Sequence, residues 1–191
     1  MCTGQNQSYK TRVLMNPSKM VQSSPQSPSQ SKHLTLEIFT TQISDDDLSS
    51  ITHALKRAYG TLIEICPGEP HELPSQAYHR QRNQYDADYL LRYALRQKNR
   101  DIVLWIIPHD LYISQMNFIF GLAHYFQGAV LSLFRLNSDD LKQKEAIHEI
   151  GHVLGLPHCT NTCVMHYSNS LGEAQRKPLS LCDRCKRILN I

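Results

Sequence analysis

The run "HEIGHVLGLPHCTNTCVM", residues 148–165, places three histidines, a glutamate and two cysteines in eighteen positions and closes on a methionine. Two more cysteines follow in "LCDRC", residues 181–185. On a helix, residues four apart share a face, so His148 and His152 point the same way and can ligate one ion. Glu149 stands beside them, placed to take a proton from a water that the metal acidifies. Zinc suits such a site, because it accepts imidazole nitrogen and lowers the pKa of water to about 7 without redox chemistry. The helix must then stop. Gly155 adopts a left-handed conformation at little steric cost, and Pro157 blocks continuation. The chain can turn back and deliver His158 as a third ligand. Three protein ligands leave one position open, which marks a catalytic rather than a structural zinc.

A bare pair of histidines can also arise on an amphipathic helix without metal, with Glu149 a solvated acid. Gly155 and His158 at the extended spacing argue against that, since a metal-free helix has no use for either. Cys159, Cys163, Cys182 and Cys185 form two close pairs, the spacing of a closed, tetrahedral, structural zinc site. A redox centre at Cys182 and Cys185 is one competing reading. A nucleic-acid reader served by Arg176, Lys177, Arg184, Lys186 and Arg187 is another. His158 and Cys159 are neighbours, so the two sites share a peptide bond. The cysteine site is therefore expected to brace the loop that brings in the third histidine.

The rest of the chain sets bounds. With 191 residues, 41% hydrophobic and 19% charged, it can bury one good core. The net charge of +3 demands neither nucleic acid nor an acidic membrane. The excess is local: residues 1–32 carry Lys10, Arg12, Lys19 and Lys32 and no acid. No apolar run is long enough to span a bilayer, and the N-terminus lacks the apolar core of a secretory signal. A cytoplasmic protein with reduced thiols is expected, with Cys2 and Cys66 as idle ones.

Along the chain, "SSPQSPSQSK" (23–32) has nothing to bury, so residues 1–32 are expected to be a disordered tail. Order begins at "HLTLEIFT", where Leu34, Leu36 and Ile38 alternate as in a half-buried strand. Ser44 followed by three aspartates is a helix start, and Gly60 ends that helix. "TLIEIC" (61–66), "DIVLWIIP" (101–108), "NFIFG" and "AVLSLFRL" read as strands, and "DADYLLRYALRQK" and "SDDLKQKEAIHEIGHVLG" as helices. "DIVLWIIP", apolar throughout, reads as a central strand covered on both faces. Strands alternating with helices predict an α/β domain whose early sheet is mostly parallel.

"HEIGHVLGLPH" resembles the extended signature of the metzincin zinc peptidases, with Met165 as the methionine of the turn beneath the metal. The closer resemblance is to the archaemetzincins, which place a cysteine directly after the third histidine and three more behind it. "RNQYDADYLL", "HDLY", "NFIFGLA", "LSLFRL" and "CVMHYSNSL" resemble family segments too, so the likeness covers most of residues 33–191. Three residues separate Cys159 from Cys163 and sixteen separate Met165 from Cys182, each gap one shorter than the family pattern.

The resemblance implies a compact, metzincin-like α/β domain over 33–191. It would have a mixed, mostly parallel twisted sheet, an active-site helix and a zinc-stabilised C-terminal subdomain. It implies a zinc metallopeptidase with two zincs, one catalytic on His148, His152 and His158 and one structural on the four cysteines. Glu149 would be the general base, and a peptide or protein substrate would lie extended along an edge strand, "NFIFG" or its neighbour. Tyr167 matches a tyrosine that some metzincins hold near the zinc, with plain packing the equal alternative. A monomer without nucleic-acid or membrane partners is expected. The alternative is a zinc-stabilised binding module with little or no activity.

Overall fold

Residues Ile102–Ile107 (β6) are buried without exception, because the sheet around them is covered on both faces. Ile102, Leu104 and Ile106 face one apolar layer, and Val103, Trp105 and Ile107 face the other. This is the two-residue period of a strand acting on an unbroken apolar run. The computed structural model describes residues 12–14, 33–168 and 170–191.

Among the described residues the main sheet has six strands in the order β1 (Arg12–Leu14), β9 (Gly121–His124), β10 (Gly128–Ser132), β6, β2 (Leu34–Thr40), β3 (Ile63–Pro70). Every neighbouring pair is parallel except β9 with β10. The mixed, mostly parallel α/β sheet foreseen from the sequence is therefore present. Helices α1 (Asp45–Tyr59) and α3 (Asp139–Val153) cover the first face, and α2 (Ala87–Gln97) covers the second. Each begins as its sequence dictates. Ser44 accepts from Asp47 N–H at 3.2 Å, Asp86 from Tyr89 N–H at 3.0 Å and Ser138 from Leu141 N–H at 3.3 Å. Such caps stabilise a helix by about 1 kcal/mol each.

Several elements differ from expectation. β2 is buried on both faces between β3 and β6, so Glu37 and Phe39 are covered as well as Leu36 and Ile38. Glu37 is accommodated because its Oε2 accepts the Asn99 N–H at 2.7 Å. The run "NFIFG" does not make one strand. Met116–Ile119 (β8) belongs to a second sheet of four strands, ordered β4 (Tyr78–His79), β5 (Gln84–Asp86), β7 (Leu111–Ile113), β8. Gly121 opens β9 in the main sheet instead. Asp110 ties the two sheets together. It accepts both a Gln84 amide bond at 2.8 Å and a forked pair from Arg135, whose guanidinium lies 3.7 Å from the Phe118 ring centroid.

Within residues 1–32, Arg12–Leu14 form a strand paired with β9; the rest of the expected tail lies outside the described residues. After α3, the chain forms two short helices, α4 (Leu171–Arg176) and α5 (Asp183–Leu189), around the cysteines.

Candidate metal centres and active site

Helix α3 carries an unbroken buried run from Lys144 to Val153, because it lies between the sheet and the C-terminal segments. His148, Glu149 and His152 are therefore at most 2% exposed. Below them Met165, fully buried, packs against Gly151: a Cβ there would run into Met165 Sδ and would meet the Tyr59 hydroxyl at 2.8 Å. That hydroxyl donates to Ile147 O at 2.8 Å and so braces the helix next to its first ligand.

The helix ends as the sequence predicts. Gly155 has φ +98°, and the reversal carries His158 back to the pair. One ligand atom from each of His148, His152 and His158 falls within 4.8 Å of the other two. The rings are fixed from behind. His148 Nδ1 donates to Val164 O at 2.9 Å, and His152 Nδ1 donates to Leu156 O at 2.7 Å. With hydrogen on Nδ1, both Nε2 atoms present bare lone pairs, 3.1 Å apart. Facing lone pairs repel unless a cation lies between them. Two nitrogens on one tetrahedral zinc sit about 3.3 Å apart, so the spacing fits. His158 Nε2 has no hydrogen-bond partner among the described residues and is free to be a third donor.

The electrostatics favour neutral imidazoles. Burial, then the Lys177 charge and the neighbouring histidine, push His148 well below its ordinary value. Burial and His158 pull His152 down to about 3, and burial and Lys177 pull His158 to about 4. Glu149 goes the other way, raised well above 4.5 by burial first and by Glu145 second, with Lys177 opposing. Neither Glu149 oxygen has a hydrogen-bond partner among the described residues. The carboxylate rests against β9: a Cβ on Gly121 would meet Glu149 Cγ at 2.6 Å, Cδ at 2.7 Å and Oε1 at 2.8 Å. One turn before it, Glu145 forms a buried ion pair with Lys177 at 2.7 Å. Tyr167 lies edge-on to His158, ring centroids 4.9 Å apart.

The four cysteines also converge, their sulfurs within 4.8 Å of one another. Cys159–Cys182 and Cys163–Cys185 are each 3.7 Å apart. A disulfide would need about 2.05 Å, whereas sulfurs on one tetrahedral zinc lie about 3.8 Å apart. Backbone N–H groups point at the sulfurs, Cys182 N–H to Cys163 Sγ at 3.3 Å and Asn161 N–H to Cys159 Sγ at 3.5 Å. The Cys185 N–H and the Asn161 amide help to pull the Cys182 thiol down to about 6. Between the two clusters, Cys159 N–H donates to Met165 O at 2.9 Å, tying the loop of the third histidine to the methionine turn.

All of the residues singled out from the sequence as ligands are thus brought together in two groups, and Glu149 lies beside the first. Sequence reasoning missed Gly121, Tyr59 and the Glu145–Lys177 pair. Only Gly121 left a signal, as an isolated glycine between apolar residues where another group approaches closely.

Comparison with known proteins agrees. The family model for peptidase family M54 matches residues 45–190. An archaemetzincin of Nanoarchaeum equitans is 45% identical over 120 residues, covering 62% of this chain and 71% of that protein. One from Archaeoglobus fulgidus is 39% identical over 150 residues, covering 72% and 92%. The crystal structure of the Archaeoglobus fulgidus archaemetzincin complexed with malonate superposes with a TM-score of 0.73 at 32% identity, over 81% of this chain and 99% of that one. The archaemetzincin of Methanopyrus kandleri gives 0.74 at 34% identity, over 83% and 94%. Sequence and fold together place the chain in peptidase family M54: it is an archaemetzincin-type zinc metallopeptidase.

Proposed function

We propose that the chain hydrolyses peptide bonds at a zinc held by His148, His152 and His158, with Glu149 as general base, and that a second, structural zinc is held by Cys159, Cys163, Cys182 and Cys185. The observation that carries the reading is the pairing of bare Nε2 atoms, each fixed by its Nδ1 bond to a backbone carbonyl, beside a buried carboxylate with no hydrogen-bond partner among the described residues. A zinc bound there supplies Lewis acidity, polarising the scissile carbonyl and lowering the pKa of water. The protein's own part follows from position. Burial and Glu145 raise the basicity of Glu149, which favours its accepting a proton from the attacking water and passing it to the leaving amine. The hollow at Gly121 seats its carboxylate against β9. Tyr167 packs edge-on against His158, and an oxyanion-stabilising role for its hydroxyl is part of this proposal. The closed tetrathiolate cluster has no open position and acts as a brace.

The test is Glu149→Gln with zinc content measured alongside. Turnover of a peptide library should fall by a factor of order 10²–10⁴ with both zincs retained. Near-normal turnover in the variant would show the base to be elsewhere. A wild-type protein that binds peptides but cleaves none would favour a zinc-stabilised binding module.

A further inference from the structure

The edge of the main sheet beside Glu149 is already taken. Strand β9 begins at Gly121, against the Glu149 carboxylate, and ends in a turn where Phe126 N–H donates to Val153 O at 2.7 Å. It therefore runs alongside α3 from the level of the general base to the end of the ligand helix. One edge of β9 pairs with β10. The other edge is where a substrate could add as a further strand, since an unpaired row of N–H and C=O groups is a template for an extended peptide. Among the described residues that edge carries β1, paired in parallel with Arg12 opposite Leu122, Val13 opposite Ala123 and Leu14 opposite His124.

We propose that Arg12–Leu14 is an intramolecular competitor of the peptide substrate: the enzyme's own N-terminal strand occupies the edge of β9 and must leave before a substrate can pair there. The inference rests on the peptidase reading of the site and adds its regulation. Residues 15–33 join β1 to β2, so the strand meets its edge at an effective concentration in the roughly millimolar range, whatever the protein concentration. Three residues make few ladder bonds, so displacement by a longer peptide that also fills side-chain sites is within reach.

Three forms test it: the full chain, a chain lacking residues 1–14, and the full-length double variant Val13→Pro/Leu14→Pro. Successive N–H groups of a strand point to opposite sides, so one of the two prolines must remove a donor aimed at β9. With a fluorogenic peptide, both altered forms should show KM lower by about tenfold and unchanged kcat, the equivalent of one or two ladder bonds released. A synthetic peptide of residues 9–18 should inhibit the shortened chain competitively. Hydrogen exchange at Leu122–His124 should be faster in both altered forms than in the full chain. Equal KM in three active forms overturns the proposal while leaving the peptidase reading intact. A lower KM without faster exchange at β9 also overturns it, because the effect then arises elsewhere. If all three forms are inactive, the peptidase reading and the competition fail together.

Discussion

Gly121 and Glu149 meet where β9 lies against α3, without a hydrogen bond between them; what joins them is the absence of a side chain. Replacing Gly121 by Ala puts a methyl group within 3 Å of three Glu149 atoms, and Glu149, fully buried, has little room to yield. Misplacement of a catalytic group by about 1 Å costs on the order of 10²-fold in rate. Gly121→Ala should therefore lose roughly that much kcat while keeping its zinc content, and Glu149→Asp in the same chain should recover part of the loss. Full activity in the single variant would show that the hollow is unnecessary. The convergence of the candidate ligands was legible in the sequence because five of the seven fall within sixteen positions, where helix periodicity and one turn decide their relation. Glu145 and Lys177 were not: they meet only through α4 folding back on α3, which no local pattern encodes.

At the scale of elements, α1 and α2 follow from their caps and apolar stripes, α3 from its cap, and β6 from its unbroken run. The second sheet does not. Its strands are two to four residues long, too short for an alternation to show, and β8 abuts β9 with a single residue between them. The same reasoning hid β1, whose three residues gain structure only by pairing with β9. The loop from His158 to Met165 is the element on which both metal groups depend. Cys182→Ser removes one of the four proposed cysteine ligands and leaves every histidine in place. It should lower the Tm and also weaken zinc affinity at the histidines, since bracing groups around a metal site are commonly worth 10–100-fold in affinity. Wild-type affinity at the histidine site, measured where the variant is still folded, would make the cysteine cluster an independent module.

For the molecule as a whole, the histidines set an acid limit on stability. Their folded pKa values lie below the ordinary 6.5, at about 3 for His152 and about 4 for His158, because burial disfavours the charged ring. Between those values and 6.5 the unfolded chain holds protons that the folded chain refuses. Stability of the metal-free protein is thus fully present above 6.5 and falls as the pH drops toward about 4. In chelator-treated Glu149→Gln, which removes the opposing titration of the raised Glu149 carboxyl, the Tm should be lower at about pH 5 than at about pH 7, and a flat profile would contradict the assignment of neutral, buried imidazoles. No helix among the described residues is long and apolar enough to cross a membrane.

The peptide bond shared by His158 and Cys159 also bears on the order in which the chain can assemble. The four cysteines close within residues 159–185, whereas β2 must find β6 across more than sixty positions. Shorter loops close at lower entropic cost and sooner. If the four cysteines hold zinc as proposed, a complete unfolded chain that meets the metal would close its last segment first, and His158 would then arrive at the sheet already set in its turn. Without zinc, the sheet would have to form around a third ligand still adrift.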